Sequence, residues 1–167
     1  LAKPHMIEFW DNSQEHKADI LNFINGRIEP SNYFNGIFTY WIGYLDDQPF
    51  SFILTSDVVP SEDLPPLLYE HLSQTGKTCA LDFGIGNKNF IGKGLASATL
   101  IAFTDFFHKN IAPETDTFYI DPNDDNPRAH HVYEKAGFNL VGTYNSKGKH
   151  WEFSSDEVCL MVKKLCS

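Results

Sequence analysis

Leu81-Asp82-Phe83, Asn89-Phe90-Ile91-Gly92-Lys93-Gly94-Leu95-Ala96, Asp121-Pro122, Asn126-Pro127-Arg128-Ala129 and Tyr133-Glu134-Lys135-Ala136-Gly137-Phe138 follow one another within residues 81–138. Their order reads as strand, glycine loop, helix, strand, helix. Gly92 and Gly94 fall where an apolar run ends and a helix-period run begins, with Leu95, Ala98, Ala102, Phe103 and Phe106 tracing one face. A helix N-terminus behind a glycine loop presents unpaired N–H groups and the positive end of the helix dipole, and glycine lets an anion reach the backbone. The stretch therefore predicts a phosphate-binding loop.

Two nucleotide-binding readings fail on spacing. A Walker loop needs four residues between its first glycine and Gly-Lys, then Ser or Thr; here five separate Gly86 from Gly92, and Gly94 follows Lys93. A dinucleotide fingerprint needs G-x-G-x-x-G, but Gly84-Ile85-Gly86 leads to Asn89 and Gly92-Lys93-Gly94 leads to Ser97.

Asn89-Phe90-Ile91-Gly92-Lys93-Gly94 resembles the Gln/Arg-x-x-Gly-x-Gly/Ala pyrophosphate loop of the GCN5-related N-acetyltransferase superfamily, departing from it at Asn89. That departure affects one side-chain contact and leaves the backbone cradle. Asn126-Pro127-Arg128-Ala129 with Tyr133-Glu134-Lys135-Ala136-Gly137-Phe138 is similar to the superfamily's Asn-x-x-Ala…Tyr-x-Lys-x-Gly-Phe segment. Within the superfamily the chain looks like the aminoglycoside 6′-N-acetyltransferases. That resemblance rests on Pro4-His5-Met6-Ile7-Glu8-Phe9-Trp10, Asp82 ten residues before Gly92, Ile91 to Leu95, and Ile120-Asp121-Pro122. It implies an α/β fold in one domain over residues 1–167: a mixed, mostly antiparallel sheet flanked by helices, its central strands splayed to form an acetyl-coenzyme A cleft. Against the superfamily pattern, the usual first strand is missing before Pro4.

Bulk properties agree with one folded globular chain. The 167 residues are 42% hydrophobic and 21% charged, an ordinary balance. A formal charge of −9 disfavours nucleic acid and favours a cationic ligand, although acidity for solubility alone is common. Cys79, Cys159 and Cys166 are odd in number and lack Cys-x-x-Cys spacing, so neither a disulfide framework nor a zinc motif is expected, and a reducing cytoplasm fits. No apolar run approaches the ~18 residues of a membrane span, and no signal peptide is recognised.

Along the chain, Pro4 to Trp10 reads as helix-like. Asn12 with Glu15 resembles a capping box before an apolar stripe at Ile20, Leu21, Phe23 and Ile24 that ends at Gly26. By resemblance these early helices flank the acceptor cleft, with Glu8, Phe9, Trp10 and Asp11 along it; packing on the sheet is the competing reading for Phe9 and Trp10. Ile37 to Leu45 and Pro49 to Thr55 form a hairpin around Asp46-Asp47-Gln48. Val58 to Lys77 reads as a long excursion with one helical turn, its Glu62 and Asp63 either walling the acceptor site or standing in solvent. Thr78 to Phe83 is the central strand, Leu95 to about Asn110 a helix, and Thr117 to Ile120 a strand. Asn126 caps a helix with Pro127 at its first position and Gly137 at its left-handed end. Phe138 to Tyr144 and Val158 to Lys163 close the sheet around a turn at Asn145 to Lys149.

Acetyl transfer to an amine needs a base, a polarised thioester carbonyl and a proton for the departing thiolate. The resemblance carries the base onto Asp82, whose alternative role is to satisfy loop N–H groups at a strand end. It carries the proton donor onto Tyr133, because a phenol of pKa near ~10 keeps its proton at neutral pH. Asp121 would hold the cationic acceptor, or else form an Asp-Pro turn. Phe83 lies where a backbone N–H can meet the carbonyl. Asn89 to Leu95 would bind the cofactor phosphates, with Lys93 and Arg128 as assisting charges and Asn126 toward the pantetheine arm. His130 and His131 are adjacent rather than a helical turn apart, so no metal is expected.

These readings converge on an acetyl-coenzyme A-dependent N-acetyltransferase that acts by direct attack on a cationic, aminoglycoside-like amine, as a monomer or homodimer. Competing acceptors are a polyamine, a siderophore N-hydroxylysine or a protein amine; from another class, the chain is an acyl-coenzyme A sensor without turnover.

Overall fold

The computed structural model describes residues 3–7, 10–29, 31–145 and 157–165. Glu8, Phe9, Cys166 and all of the Asn145 to Lys149 turn after Asn145 lie outside the described residues. Six strands, β1 Thr39–Leu45, β2 Gln48–Val58, β3 Lys77–Ile85, β4 Thr115–Ile120, β5 Asn139–Asn145 and β6 Glu157–Lys164, form a mixed sheet ordered β1-β2-β3-β4-β6-β5. The helices are α1 Pro4–Ile7, α2 Gln14–Ile24, α3 Pro66–His71, α4 Leu95–Phe106 and α5 Pro127–Lys135. Among the described residues no helix is long and apolar enough to cross a membrane. The chain groups into two compact units, residues 1–56 with 83–91, and residues 57–82 with 92–167.

In the first unit β1 and β2 pair antiparallel across a two-residue turn, Asp46 and Asp47, both at positive φ (48° and 59°). That is the mirror-image turn whose twist matches a hairpin. The cap of α2 falls one residue later than the Asn12–Glu15 spacing predicts. Ser13 accepts the His16 N–H at 3.1 Å, and Asp11 holds Ser13 through its N–H (2.8 Å) and hydroxyl (2.9 Å). The Asp11 carboxylate thus makes Ser13 the better-placed oxygen. Behind this cap lies a buried polar knot. Asp19, 1% exposed, takes the Tyr40 hydroxyl at 2.6 Å and the Arg27 guanidinium at 3.1 Å, while the His16 ring stacks on Tyr33 with centroids 4.5 Å apart. Arg27 also donates to the Phe38 carbonyl, so both of its ends serve to satisfy buried oxygens.

In the second unit β6 is buried on both faces. Val158, Leu160 and Val162 join Leu68, Leu72, Tyr119 and Tyr144 in one cluster, and the alternate residues Cys159 and Met161 fill the opposite side. The Val58 to Lys77 excursion is therefore partly core. Its α3 supplies Leu68 and Leu72, and the Leu68 carbonyl accepts the Tyr119 hydroxyl at 2.7 Å. Helix α4 is rotated from the predicted face: Ala98, Ala102 and Phe106 are exposed, whereas Leu100, Phe103 and Thr104 are buried. Eight of the twelve α4 residues are apolar, too many for one face, so periodicity discriminates poorly. Thr104 tolerates burial because its hydroxyl donates to the Leu100 carbonyl and accepts Lys163 Nζ at 2.8 Å.

Burial lowers the His16 pKa below 6.5, outweighing its backbone bond to Asp11 and the charges of Asp11 and Asp19. A group whose folded pKa is depressed contributes stability above its unfolded value and loses it as pH falls through the folded one. The urea midpoint should fall as pH drops from about 7 to about 5.5, and His16→Phe should flatten that fall relative to its own value at neutral pH. An equal fall in both proteins would remove His16 as the cause.

Candidate active site

The parallel ladder between β3 and β4 pairs Thr78 with Thr117 and Cys79 with Phe118, and its last pair is Ala80 with Tyr119. Beyond it β3 runs on to Ile85, while Ile120 of β4 pairs with Met161 of β6. Asp82, on β3, and Asp121, the residue after β4, each lie two residues past that last pair. Both are half-buried. The strands thus deliver two carboxylates to the place where the ladder ends.

Two buried phenols share this place. Tyr144, on β5, donates its hydroxyl to Asp121 Oδ2 at 2.6 Å, and burial, then the Asp121 charge and this bond, then Asp82, hold its pKa well above 10.0. Tyr133, on α5, is also buried, and its pKa is raised by burial first and by the charges of Asp82 and Asp121 next. Each phenol therefore keeps its proton at neutral pH. Carboxylates beside proton-holding phenols can take a proton from an ammonium group and return one to a thiolate.

Helix α5 is set by local rules that the sequence displays. Asn126 Oδ1 accepts the Ala129 N–H at 3.1 Å, with Pro127 in the first helical position. At the other end Gly137 (φ 91°) donates to the Glu134 carbonyl, and Phe138 to the Tyr133 carbonyl, both at 3.0 Å. That paired closure is the Schellman motif. It locks the last turn that carries Tyr133. The Asn126 oxygen is engaged as a cap, and Arg128 is exposed on the first turn.

The glycine loop has the predicted form. Gly92 (φ 79°) and Gly94 (φ 73°) are left-handed, no atom lies within 4 Å of where a Cβ would stand on either, and Gly94 is the N-cap residue of α4. Gly92, Lys93 and Gly94 are exposed and Leu95 is half-buried. Glycine here answers a backbone requirement and leaves open space in front of the helix end.

The other expected residues belong to the first unit. Phe83 is half-buried on β3; Asn89 is exposed in a 3₁₀ turn, Lys88–Phe90, capped by Asn87 Oδ1; and Phe90 packs on Phe50 at 5.4 Å. Trp10 is buried against Phe52 (5.1 Å), and a Cβ on Gly84 would come within 2.6 Å of its Nε1, so packing describes its place. In the second unit, Glu62 and Asp63 stand exposed before α3. Tyr144 and Asn87 escaped sequence reasoning. The sequence reading ends a closing strand at Tyr144, yet nothing in it links that residue to Asp121, 23 residues away.

The profile of the acetyltransferase (GNAT) domain matches residues 1–146. An aminoglycoside N(6′)-acetyltransferase type 1 from Klebsiella pneumoniae is 27% identical over 143 residues, covering 86% of this chain and 67% of that protein. A solved structure of AAC(6′)-Ib in complex with paromomycin and acetyl-coenzyme A has a TM-score of 0.71 at 25% identity, covering 98% of this chain and 83% of that one. A spermidine N-acetyltransferase chimera that includes Vibrio cholerae sequence superposes with a TM-score of 0.61 over 93% of this chain and 81% of that one; at 13% identity it speaks for the fold alone. With the left-handed glycine loop, the early end of the β3–β4 ladder and the buried Tyr133 in place, the profile match over most of its length shows that the chain belongs to the acetyltransferase (GNAT) family and is an acyltransferase.

Proposed function

We propose that this acyltransferase moves the acetyl group of acetyl-coenzyme A to a primary amine of an aminoglycoside-like cation, by direct attack with both substrates bound. The observation that carries the reading is the buried Tyr133 proton, held in the field of Asp82 and Asp121 where the β3–β4 ladder ends. The similarity to aminoglycoside 6′-acetyltransferases supports the acceptor class, as does the net charge of −9. The open, left-handed Gly92 and Gly94 at the start of α4 suit a pyrophosphate.

In this reading Asp82 takes a proton from the acceptor ammonium, directly or through water, and frees the lone pair for attack. Asp121, oriented by Tyr144, holds the cation. Backbone N–H groups of β3 past Ala80, near Phe83, face the charge that builds on the thioester oxygen. As the C–N bond forms and the C–S bond breaks, Tyr133 gives its proton to the thiolate and recovers one from solvent. Gly92, Lys93, Gly94 and Leu95, with Asn126 and Arg128, would hold the coenzyme, and Glu62 and Asp63 would meet the acceptor. The buried thiols of Cys79 and Cys159 suit a reducing cytoplasm, and resistance to an antibiotic is the role this acceptor would imply.

Thiol release should show saturable turnover with kanamycin and none with spermidine, N-hydroxylysine or a peptide amine. Turnover confined to another amine would overturn the acceptor, and coenzyme A binding without any turnover would support a sensor. Asp82→Asn and Tyr133→Phe should each lower kcat by about 10²- to 10⁴-fold with coenzyme A affinity unchanged; loss of affinity in step with rate would point to folding instead.

Gly94→Ala should raise the KM for acetyl-coenzyme A by about tenfold, because a left-handed non-glycine residue costs roughly 1–2 kcal/mol. An unchanged KM would remove the glycine loop from the binding site.

A further inference from the structure

Apart from the proposed acyl-transfer groups, three side chains with metal-binding atoms meet in the second unit. They are Asp124 in the loop after β4, His130 on α5 and Cys159 on β6, and one ligand atom of each lies within 4.8 Å of the others. Cys159 Sγ donates to Asp124 Oδ1 at 3.2 Å, and His130 Nε2 is 3.2 Å from the Asn123 carbonyl oxygen. The backbone around them is tied down: the Cys159 N–H donates to the Pro122 carbonyl at 3.0 Å, and Asn123 bridges to Val158.

A tetrahedral zinc ion, with bonds of roughly 2.0–2.3 Å, spaces its ligand atoms roughly 3.3–3.8 Å apart. The sulfur and carboxylate oxygen, 3.2 Å apart, stand just inside that spacing, and side-chain movement of about 1 Å would bring the trio to it. Thiolate, imidazole and carboxylate form a donor set for zinc-like ions rather than for magnesium or calcium, which take oxygen alone. Cys159 is buried while Asp124 is exposed, which leaves one side open for entry and for a water as fourth ligand.

We propose that Asp124, His130 and Cys159 bind one zinc-class divalent cation, which braces the loop between Asp121 and Asn126 against β6. The cation takes no part in acetyl transfer. On binding, the S–H bond of Cys159 breaks, its electron pair forms the metal–sulfur bond and its proton leaves to solvent. No spacing motif announces the site, because Asp124 and Cys159 are 35 residues apart and on different elements.

Cobalt(II) titrated into the untagged full chain tests this. One equivalent should produce a thiolate-to-cobalt charge-transfer band that zinc abolishes. Cys159→Ser should remove the band, Asp124→Asn and His130→Asn should weaken cobalt affinity at least about tenfold, and Cys79→Ser and Cys166→Ser should leave it intact, with folding checked by circular dichroism. The proposal is overturned by a wild-type protein without the band, by unchanged affinity in Asp124→Asn and His130→Asn, or by a band that follows Cys79 or Cys166.

Discussion

The early end of one strand pairing governs the chemistry of this chain. Parallel strands β3 and β4 stay bonded only to Ala80 and Tyr119, after which β3 continues to Ile85 and β4 goes on with β6. An unfinished ladder leaves backbone groups that must find other partners. It also leaves two carboxylates, Asp82 on β3 and Asp121 just after β4, past the last paired residues. The second unit's core is extensive: β6 is buried on both faces, α3 adds Leu68 and Leu72 to its cluster, and Leu100 and Phe103 of α4 are buried as well.

A half-buried carboxylate needs hydrogen-bond donors to replace lost water. Tyr144 supplies one to Asp121 at 2.6 Å and is itself kept protonated by that negative charge. Tyr133 experiences the same field without being consumed by it, since burial and both aspartates favour its neutral form. The arrangement separates two tasks by environment. The aspartates are half-buried, whereas the Tyr133 phenol is buried and kept in its neutral form.

Features written in local rules were legible in the sequence. Asn126, Pro127 and Gly137 specify their helix through cap, first turn and left-handed exit, and Gly92 and Gly94 specify the loop before α4 through backbone conformation. What joins distant segments was not legible. Tyr144 reaches Asp121, Cys159 reaches Asp124, and α3 enters the core from an excursion that reads as loop. The shift of the α2 cap from Asn12 to Ser13 has the same origin on a shorter scale, because the competing oxygen is fixed by Asp11, a contact no capping pattern includes. The α4 face failed for another reason: with eight apolar residues of twelve, and Thr104 buried among them, the helix carries little periodic information.

The central claim is that Tyr133 stores a proton beside two carboxylates. Ring-labelled tyrosine, with the Tyr133 signal identified by its loss in Tyr133→Phe, can be followed by NMR from about pH 8 to about pH 11 against free tyrosine, which titrates near ~10. The account requires the Tyr133 signal to stay in place through the midpoint of the free amino acid. A Tyr133 signal that moves at or below that midpoint would contradict it.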